Sequence, residues 1–306
     1  MDDLDFSHLS PTPATPATPA APAAPAPASV TATQFPNKAL PTDPHLAARF
    51  FSLAGEQESF EAGASVFTEG EKPGLFRKAR MYLVLEGQVA LTFKGKPLHL
   101  VLPGEYFGEL AIISDAPRSA TAAALKKSRL ASMDEKRVLQ ALPQAPEFAL
   151  QLVSSLSTQM RRSVERLLAT KRPMLPRQGG TGIGADAAAK LRRTLGDPVP
   201  TVMKQGEVVV NQGASGVYMY VLLEGQVAIN VNGAAVEQVG PGETFGEVAL
   251  LGASTRAATA VAETDGAWLP VNRDAFLKIV REHPAIGLAL LRSLCERVRH
   301  LNAQLG

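Results

Sequence analysis

Residues 107–121 read FGELAIISDAPRSAT, and residues 245–259 read FGEVALLGASTRAAT. Each stretch joins a Gly-Glu pair to an apolar run and ends with an arginine nine residues past the glutamate, Arg118 and Arg256. The repetition extends outward. YLVLEGQVA at 82–90 returns as YVLLEGQVA at 220–228, and PGEYFGE at 103–109 returns as PGETFGE at 241–247. These pairs are all 138 residues apart, and the spacing holds without a gap from Tyr82 to Pro146 and its counterpart Pro284. Upstream, Gly63 aligns with Gly206 at a spacing of 143, so the first copy carries about five extra residues within EKPGLFRKAR at 71–80. Self-similarity at fixed register means two copies of one structural unit.

Inside each copy the order is the same. Short β-branched and aliphatic runs (VLEGQVALTF, LHLVL, ATAAAL) alternate with Gly and Pro-Gly turns, the pattern of an all-β barrel. Helical sequence follows. In the second copy, Leu291, Leu294, Val298, Leu301 and Leu305 form a heptad seam; in the first, Val153, Leu156, Met160, Val164 and Leu167 form a weaker one. The fold class expected is mainly β with α: two small barrels, each closed by a C-terminal amphipathic helix. The two seams are expected to pair within one chain as a pseudo-dimer, or across chains as a homodimer.

Composition limits the function classes. A chain of 306 residues with 45% hydrophobic content suits two domains with buried cores. A net charge of +2 does not suit a protein that coats nucleic acid or anionic lipid. The single Cys295 excludes an internal disulfide and a four-cysteine metal site, and its helical setting reads as a small buried apolar residue. The acidic start MDDLDFSHLS has no apolar core of a secretory signal, and no apolar run reaches about 18 residues, so a cytoplasmic protein without a membrane span is expected.

The divisions are expected at 1–44, 45–171, 172–189 and 190–306. Residues 11–29 alternate Pro with Ala and Thr and read as an extended, disordered tether, with Leu4, Phe6 and Leu9 of the preceding segment as a ragged terminus or a docking peptide. RPMLPRQGGTGIGA at 172–185 reads as a linker, since no Lys-Ser/Thr follows its glycines as a phosphate loop requires. Lys171, Arg172, Arg177, Lys190, Arg192 and Arg193 around it lack interleaved aromatics and read as solvated. The insertion residues Lys72, Arg77, Lys78 and Arg80 read as a basic hairpin tip or a partner patch.

The repeated stretch carries the chemistry. Gly108 and Gly246 let the backbone approach a ligand, and a short helix from Glu109 or Glu247 would aim first-turn N–H groups at it. Arg118 and Arg256 supply forks for two phosphate oxygens. A carboxylate repels phosphate, so Glu109 and Glu247 make sense as acceptors for a sugar hydroxyl. Phosphate and ribose together point to a nucleotide.

At these residues the chain resembles the cyclic nucleotide-binding domain family, whose phosphate-binding cassette reads roughly F-G-E-[LIV]-A, a variable stretch, then P-R-[ASTG]-A-[ST]. FGELA…PRSAT fits throughout, and FGEVA…TRAAT fits except for Thr255 in place of Pro. The resemblance spans roughly 45–170 and 190–306. It implies jelly-roll (double-stranded β-helix) domains that bind cyclic AMP or cyclic GMP beneath a mobile C-terminal lid helix. It further implies that Arg118 and Arg256 hold the phosphate oxygens and that Glu109 and Glu247 hold the ribose 2′-hydroxyl. Gly108, Leu110 and Ala111, with Gly246, Val248 and Ala249, complete the cradles. Ser119 after the first arginine suits either base, whereas Ala257 leans the second site to cyclic AMP.

Other classes lack their signatures. The chain ends five residues past Leu301, leaving no helix-turn-helix reader, so no direct DNA binding is expected. There is no G-x-S-x-G elbow, P-loop, H-E-x-x-H or kinase signature, so the protein is not expected to be an enzyme and needs no metal or cofactor. MRRSV at 160–164 reads as the outer face of the lid helix. The reading is a receptor that signals to an effector protein; the alternatives are a scaffold with retained barrels, or a receptor for another messenger such as a cyclic dinucleotide.

Overall fold

The computed structural model describes residues 43–72, 78–169, 175, 177, 178, 180, 182–252 and 254–305. Residues 1–42 of the N-terminal arm, Arg77, Lys171 and Arg172 lie outside them.

The first repeat opens with α1 (Pro44–Ala54), started by Asp43, whose side chain accepts from the His45 and Leu46 amides. Strands β1 (Glu56–Phe60), β2 (Ser65–Phe67), β3 (Arg80–Glu86), β4 (Val89–Phe93), β5 (Lys96–Val101) and β6 (Tyr106–Phe107) lead into a short helix, α2 (Glu109–Ser114). Then come β7 (Thr121–Ala124), β8 (Ser128–Asp134), α3 (Glu135–Ala141) and the long α4 (Glu147–Ala169). Two antiparallel sheets, ordered β1-β8-β3-β6 and β2-β7-β4-β5, enclose Val66, Phe67, Tyr82, Val84, Val89, Phe107 and Leu130. Alternating apolar residues on facing sheets produce this jelly roll.

Between the repeats lie β9 (Arg177–Gln178) and α5 (Ala185–Thr194). The second repeat has β10 (Thr201–Met203), β11 (Val208–Val210), β12 (Ser215–Gly216), β13 (Met219–Glu224), β14 (Val227–Val231), β15 (Ala234–Val239) and β16 (Thr244–Phe245). A 3-10 helix at Glu247–Leu251 stands where the first repeat has α2. It is followed by β17 (Ser254–Thr255), β18 (Thr259–Ala262), β19 (Gly266–Val271), α6 (Arg273–Glu282) and α7 (Pro284–Leu305). Its sheets are ordered β10-β19-β13-β16 and β11-β18-β14-β15-β9, with β12 and β17 paired as a separate two-stranded sheet.

The sequence register survives as structural register. Tyr82 pairs with Phe107 and Tyr220 with Phe245, and the bulge at Val84/Glu86 returns at Leu222/Glu224. Asp134 and Asn272, also 138 apart, cap α3 and α6 through the amide three residues on.

The seams meet within the chain. Helices α4 and α7 pack together, burying Val153, Leu156, Leu291, Leu294 and Val298 in one core and Val164, Leu167 and Leu301 in another. Each helix also reaches the other repeat, α7 against α2 and α4 against the 3-10 helix. Phe148 of α4 stacks on Phe50 of α1 at 4.0 Å, which fixes α4 against its own barrel. Cys295 is fully buried.

Three sequence readings need correction. Arg177 is not solvated: β9 pairs in parallel with β15 and buries this side chain among glutamates. In MRRSV only Arg161 is exposed, while Ser163 is buried and donates to Asn302 Oδ1 of α7 at 2.8 Å. Their partners, Glu237 and Asn302, are 60 and 139 residues away, beyond any local pattern. Lys190, Arg192 and Arg193 are exposed as expected, while Arg80 is not a free patch but pairs with Glu56 and Glu58 on β1.

Candidate functional site

Gly108 has φ +80°, where a side chain is strained, and a Cβ there would stand 2.9 Å from the Arg80 carbonyl oxygen and 3.0 Å from Arg118 Nη1. The glycine thus turns the chain out of β6 and makes room for the arginine. Arg118 Nη1 donates to the Arg80 carbonyl at 2.8 Å and to the Gly108 carbonyl at 3.2 Å, and its guanidinium lies 3.9 Å from the Phe67 ring centre. These contacts hold the guanidinium in one orientation at a cavity wall.

The cavity, about 330 Å3, is lined by all six first-repeat candidates: Gly108, Glu109, Leu110, Ala111, Arg118 and Ser119. This volume falls at the low end of the range for small-molecule sites. Phe67, Leu91 and Leu98 supply apolar lining, and Gln159, Arg162, Ser163 and Arg166 of α4 also line it. Asn302 of α7 also lines it, so the second repeat contributes to the first repeat's pocket. Glu109 is buried, and loss of water pushes its carboxyl above the usual range, against the bond from Gln159 Nε2 to Oε1 at 3.1 Å. A buried acceptor beside a fixed guanidinium suits a ligand that brings both a hydroxyl donor and an anion.

The second cassette repeats the frame. Gly246 has φ +73°, and Arg256 Nη1 donates to the Tyr218 carbonyl at 2.9 Å and the Gly246 carbonyl at 2.8 Å, in register with the first. Tyr220 replaces Phe67 as the aromatic surface, with its hydroxyl 3.2 Å from Arg256 Nη2. Ala249 is buried, Val248 half-buried and Ala257 exposed.

The carboxylates differ. Position 159 of the first repeat is Gln; its counterpart 297 is Arg. Arg297 Nη1 lies 3.3 Å from both Glu247 oxygens, Nε donates to Glu237 at 2.7 Å, and Nη2 donates to the Thr244 carbonyl. Arg177 adds bonds to Glu237 at 2.7 Å and Glu243 at 2.5 Å. Its neighbouring carboxylates push the Arg297 guanidinium pKa upward despite burial. Glu247 therefore already has a cation within ion-pair distance, whereas the side chain bonded to Glu109 is the neutral Gln159.

The sequence reading missed Gln159, Arg297 and Asn302. The signal was available for Arg297: it falls three residues after Leu294 and four before Leu301, on the apolar side of α7, where a charge needs a partner.

The cyclic nucleotide-binding domain family model matches residues 57–144 and 200–283, more than half of the chain. A cAMP-dependent protein kinase regulatory subunit of Yarrowia lipolytica is 26% identical over 228 residues, covering 74% of this chain and 54% of that protein. The regulatory subunit of Debaryomyces hansenii is 42% identical over 82 residues, covering 26% of this chain and 18% of that protein. The chain thus spans about half the length of the first relative and less than a fifth of the second. Among solved structures, the regulatory domain of Toxoplasma gondii PKA with cAMP aligns at 22% identity and TM-score 0.29, over 78% of this chain and 88% of that one. Among the described residues, no helix is long and apolar enough to cross a membrane. With both copies of the cassette matched in register, the chain belongs to the cyclic nucleotide-binding domain family and carries two such domains in tandem.

Proposed function

We propose that this protein is a cyclic nucleotide receptor, with cyclic AMP favoured over cyclic GMP, that signals to an effector protein and performs no catalysis itself. The observation that carries this reading is the placement of Glu109 and Arg118 in one cavity that α4 also lines. The Arg118 fork takes the two exocyclic phosphate oxygens, and Glu109 accepts from the ribose 2′-hydroxyl. Ser119 at the wall serves either base, and the apolar Leu91 and Leu98 cover its faces. Glu247 and Arg256 do the same work in the second repeat, where the ribose shares Glu247 with Arg297. The units are those at 45–171 and 190–306, in a cytoplasmic setting.

Signalling follows from the lid. Gln159 is bonded to Glu109. A ribose hydroxyl that takes that carboxylate releases α4 and lets it re-seat on the base, which moves the α4–α7 pair and the surface offered to the effector. The Arg297–Glu247 pair favours one alternative for the second repeat alone: a barrel kept for its fold, with its carboxylate satisfied internally.

Thermal unfolding of the full chain tests the reading. Cyclic AMP at 1 mM should raise the melting temperature, cyclic GMP less, and 5′-AMP, whose phosphate is not cyclised, least. No shift with either cyclic nucleotide, in protein verified as ligand-free, contradicts it.

A further inference from the structure

Helix α7 belongs by sequence to the second repeat, yet two of its arginines hold the main chain of the first cassette. Arg292 Nε donates to the Ile113 carbonyl at 2.9 Å, and Arg299 Nη1 donates to the Pro117 carbonyl at 2.7 Å. Ile113 lies in the last turn of α2. The Pro117 carbonyl belongs to the peptide group that joins Pro117 to Arg118, so Arg299 is bonded directly to the peptide bearing the phosphate-binding arginine. On its other side the Arg118 backbone is clamped by the turn after β2: its N–H donates to the Glu71 carbonyl and its own carbonyl accepts from Gly70, both at 2.9 Å.

The second cassette has the same turn clamp, from Arg256 to the Ala214 carbonyl at 2.8 Å and from Gly213 to the Arg256 carbonyl at 2.9 Å. The helix clamp differs. The residues in register with Arg292 and Arg299 are Ser154 and Arg161, and Arg161 is exposed on α4.

We propose that Arg292 and Arg299 are positioning residues of the first nucleotide site, through which the second repeat sets the shape and affinity of the first. The proposal rests on the reading of the first cassette as a nucleotide site. Two physical effects act together. Charge-assisted bonds to two carbonyls fix the α2–Arg118 loop before the ligand arrives, which lowers the ordering cost of binding. Two guanidinium groups behind the loop also raise the positive potential where the phosphate sits. Because the same helix carries Arg297, bonded to Glu247, an event at the second carboxylate moves the clamp on the first cassette. This gives the tandem arrangement a reciprocal coupling between its two sites that two independent barrels lack.

The test uses the full chain as wild type, Arg299→Ala, Arg299→Lys, Arg292→Ala/Arg299→Ala and, as a control, Arg161→Ala. Hydrogen exchange on ligand-free protein reads positioning without any nucleotide. Cyclic AMP titration then reads affinity at the sites dependent on Arg118 and on Arg256. Arg299→Ala should speed exchange within 109–121 but not 247–259, and weaken the Arg118-dependent site about tenfold, as expected for loss of one hydrogen bond to a charged group. The double variant should weaken it further, Arg299→Lys should recover part of the loss, and Arg161→Ala should match wild type. Unchanged exchange within 109–121 in the double variant overturns the proposal. So does an equal loss at both sites, or a chain-wide rise in exchange, which marks general loosening. If Arg299→Ala does not fold, the comparison of Arg299→Lys with wild type decides in the same terms. If wild type binds no cyclic nucleotide, the receptor reading fails, and the exchange data alone decide whether α7 positions the cassette.

Discussion

Replacing Arg297 with alanine removes the cation at the centre of the second repeat's buried carboxylates. Arg297 is only 4% exposed and contacts Glu237 at 2.7 Å and Glu247 at 3.3 Å. Without it Glu247, itself buried, loses its cation, while Glu237 keeps Arg177 at 2.7 Å. Breaking a buried pair by deleting one partner costs about 3–5 kcal/mol, and the retained Arg177 bond places this case near 3 kcal/mol. Gln159→Ala, at the equivalent position, removes one bond of 3.1 Å to Glu109 and should cost about 1 kcal/mol. Urea unfolding followed by the fluorescence of Trp268, the chain's one tryptophan, measures both. If Arg297→Ala lies within 1 kcal/mol of Gln159→Ala, the ionic cluster does not hold α7 to its barrel, and the asymmetry between the sites loses its energetic basis.

Burial raises the Glu109 carboxyl pKa above its unfolded value, so the native state keeps a proton that the unfolded chain releases. Stability contributed by this group is therefore fully present below the ordinary carboxylate range and is lost as pH rises above it; Glu109→Gln should gain on wild type over that rise, and parallel urea profiles contradict this. Gly108→Ala should cost about 1–3 kcal/mol and weaken the first site, because the added Cβ meets Arg80 and Arg118, whereas Gly233→Ala has a similar φ of +80° but open space and should cost less. Equal costs in chemical unfolding would show that packing on Arg118 is not the reason for the glycine. Trp268 lies 4.5 Å from Tyr220, which contacts Arg256, so nucleotide at the second cassette should change tryptophan emission, and Arg256→Ala should abolish the change.

Much of the architecture was legible because the cassette is contiguous. Gly, Glu and Arg sit within eleven residues, and the glycine's positive φ and the arginine's carbonyl contacts follow from that local geometry in both copies. The heptad seams were legible for the same reason, since helical spacing is a local property. What was not legible depends on long-range placement. Gln159 and Arg297 meet glutamates 50 residues away, and Asn302 enters the first pocket from the second repeat. Arg177 looked like a linker cation because its neighbours are Pro, Gln and Gly, yet a two-residue parallel pairing with β15 draws it into the second repeat's carboxylates. The difference between α2 and the 3-10 helix that stands in its place in the second repeat was likewise not legible from the near-identical cassettes.

The central claim is that Glu109 and Arg118 form a nucleotide site. Calorimetric titration of the ligand-free full chain with cyclic AMP, alongside Arg118→Ala and Arg256→Ala, tests it most directly. The account predicts saturable binding to wild type and loss of one site by at least 100-fold in Arg118→Ala, about 3 kcal/mol. That site should persist in Arg256→Ala. Binding that survives Arg118→Ala unchanged, or no binding of cyclic AMP or cyclic GMP to wild type, contradicts the account.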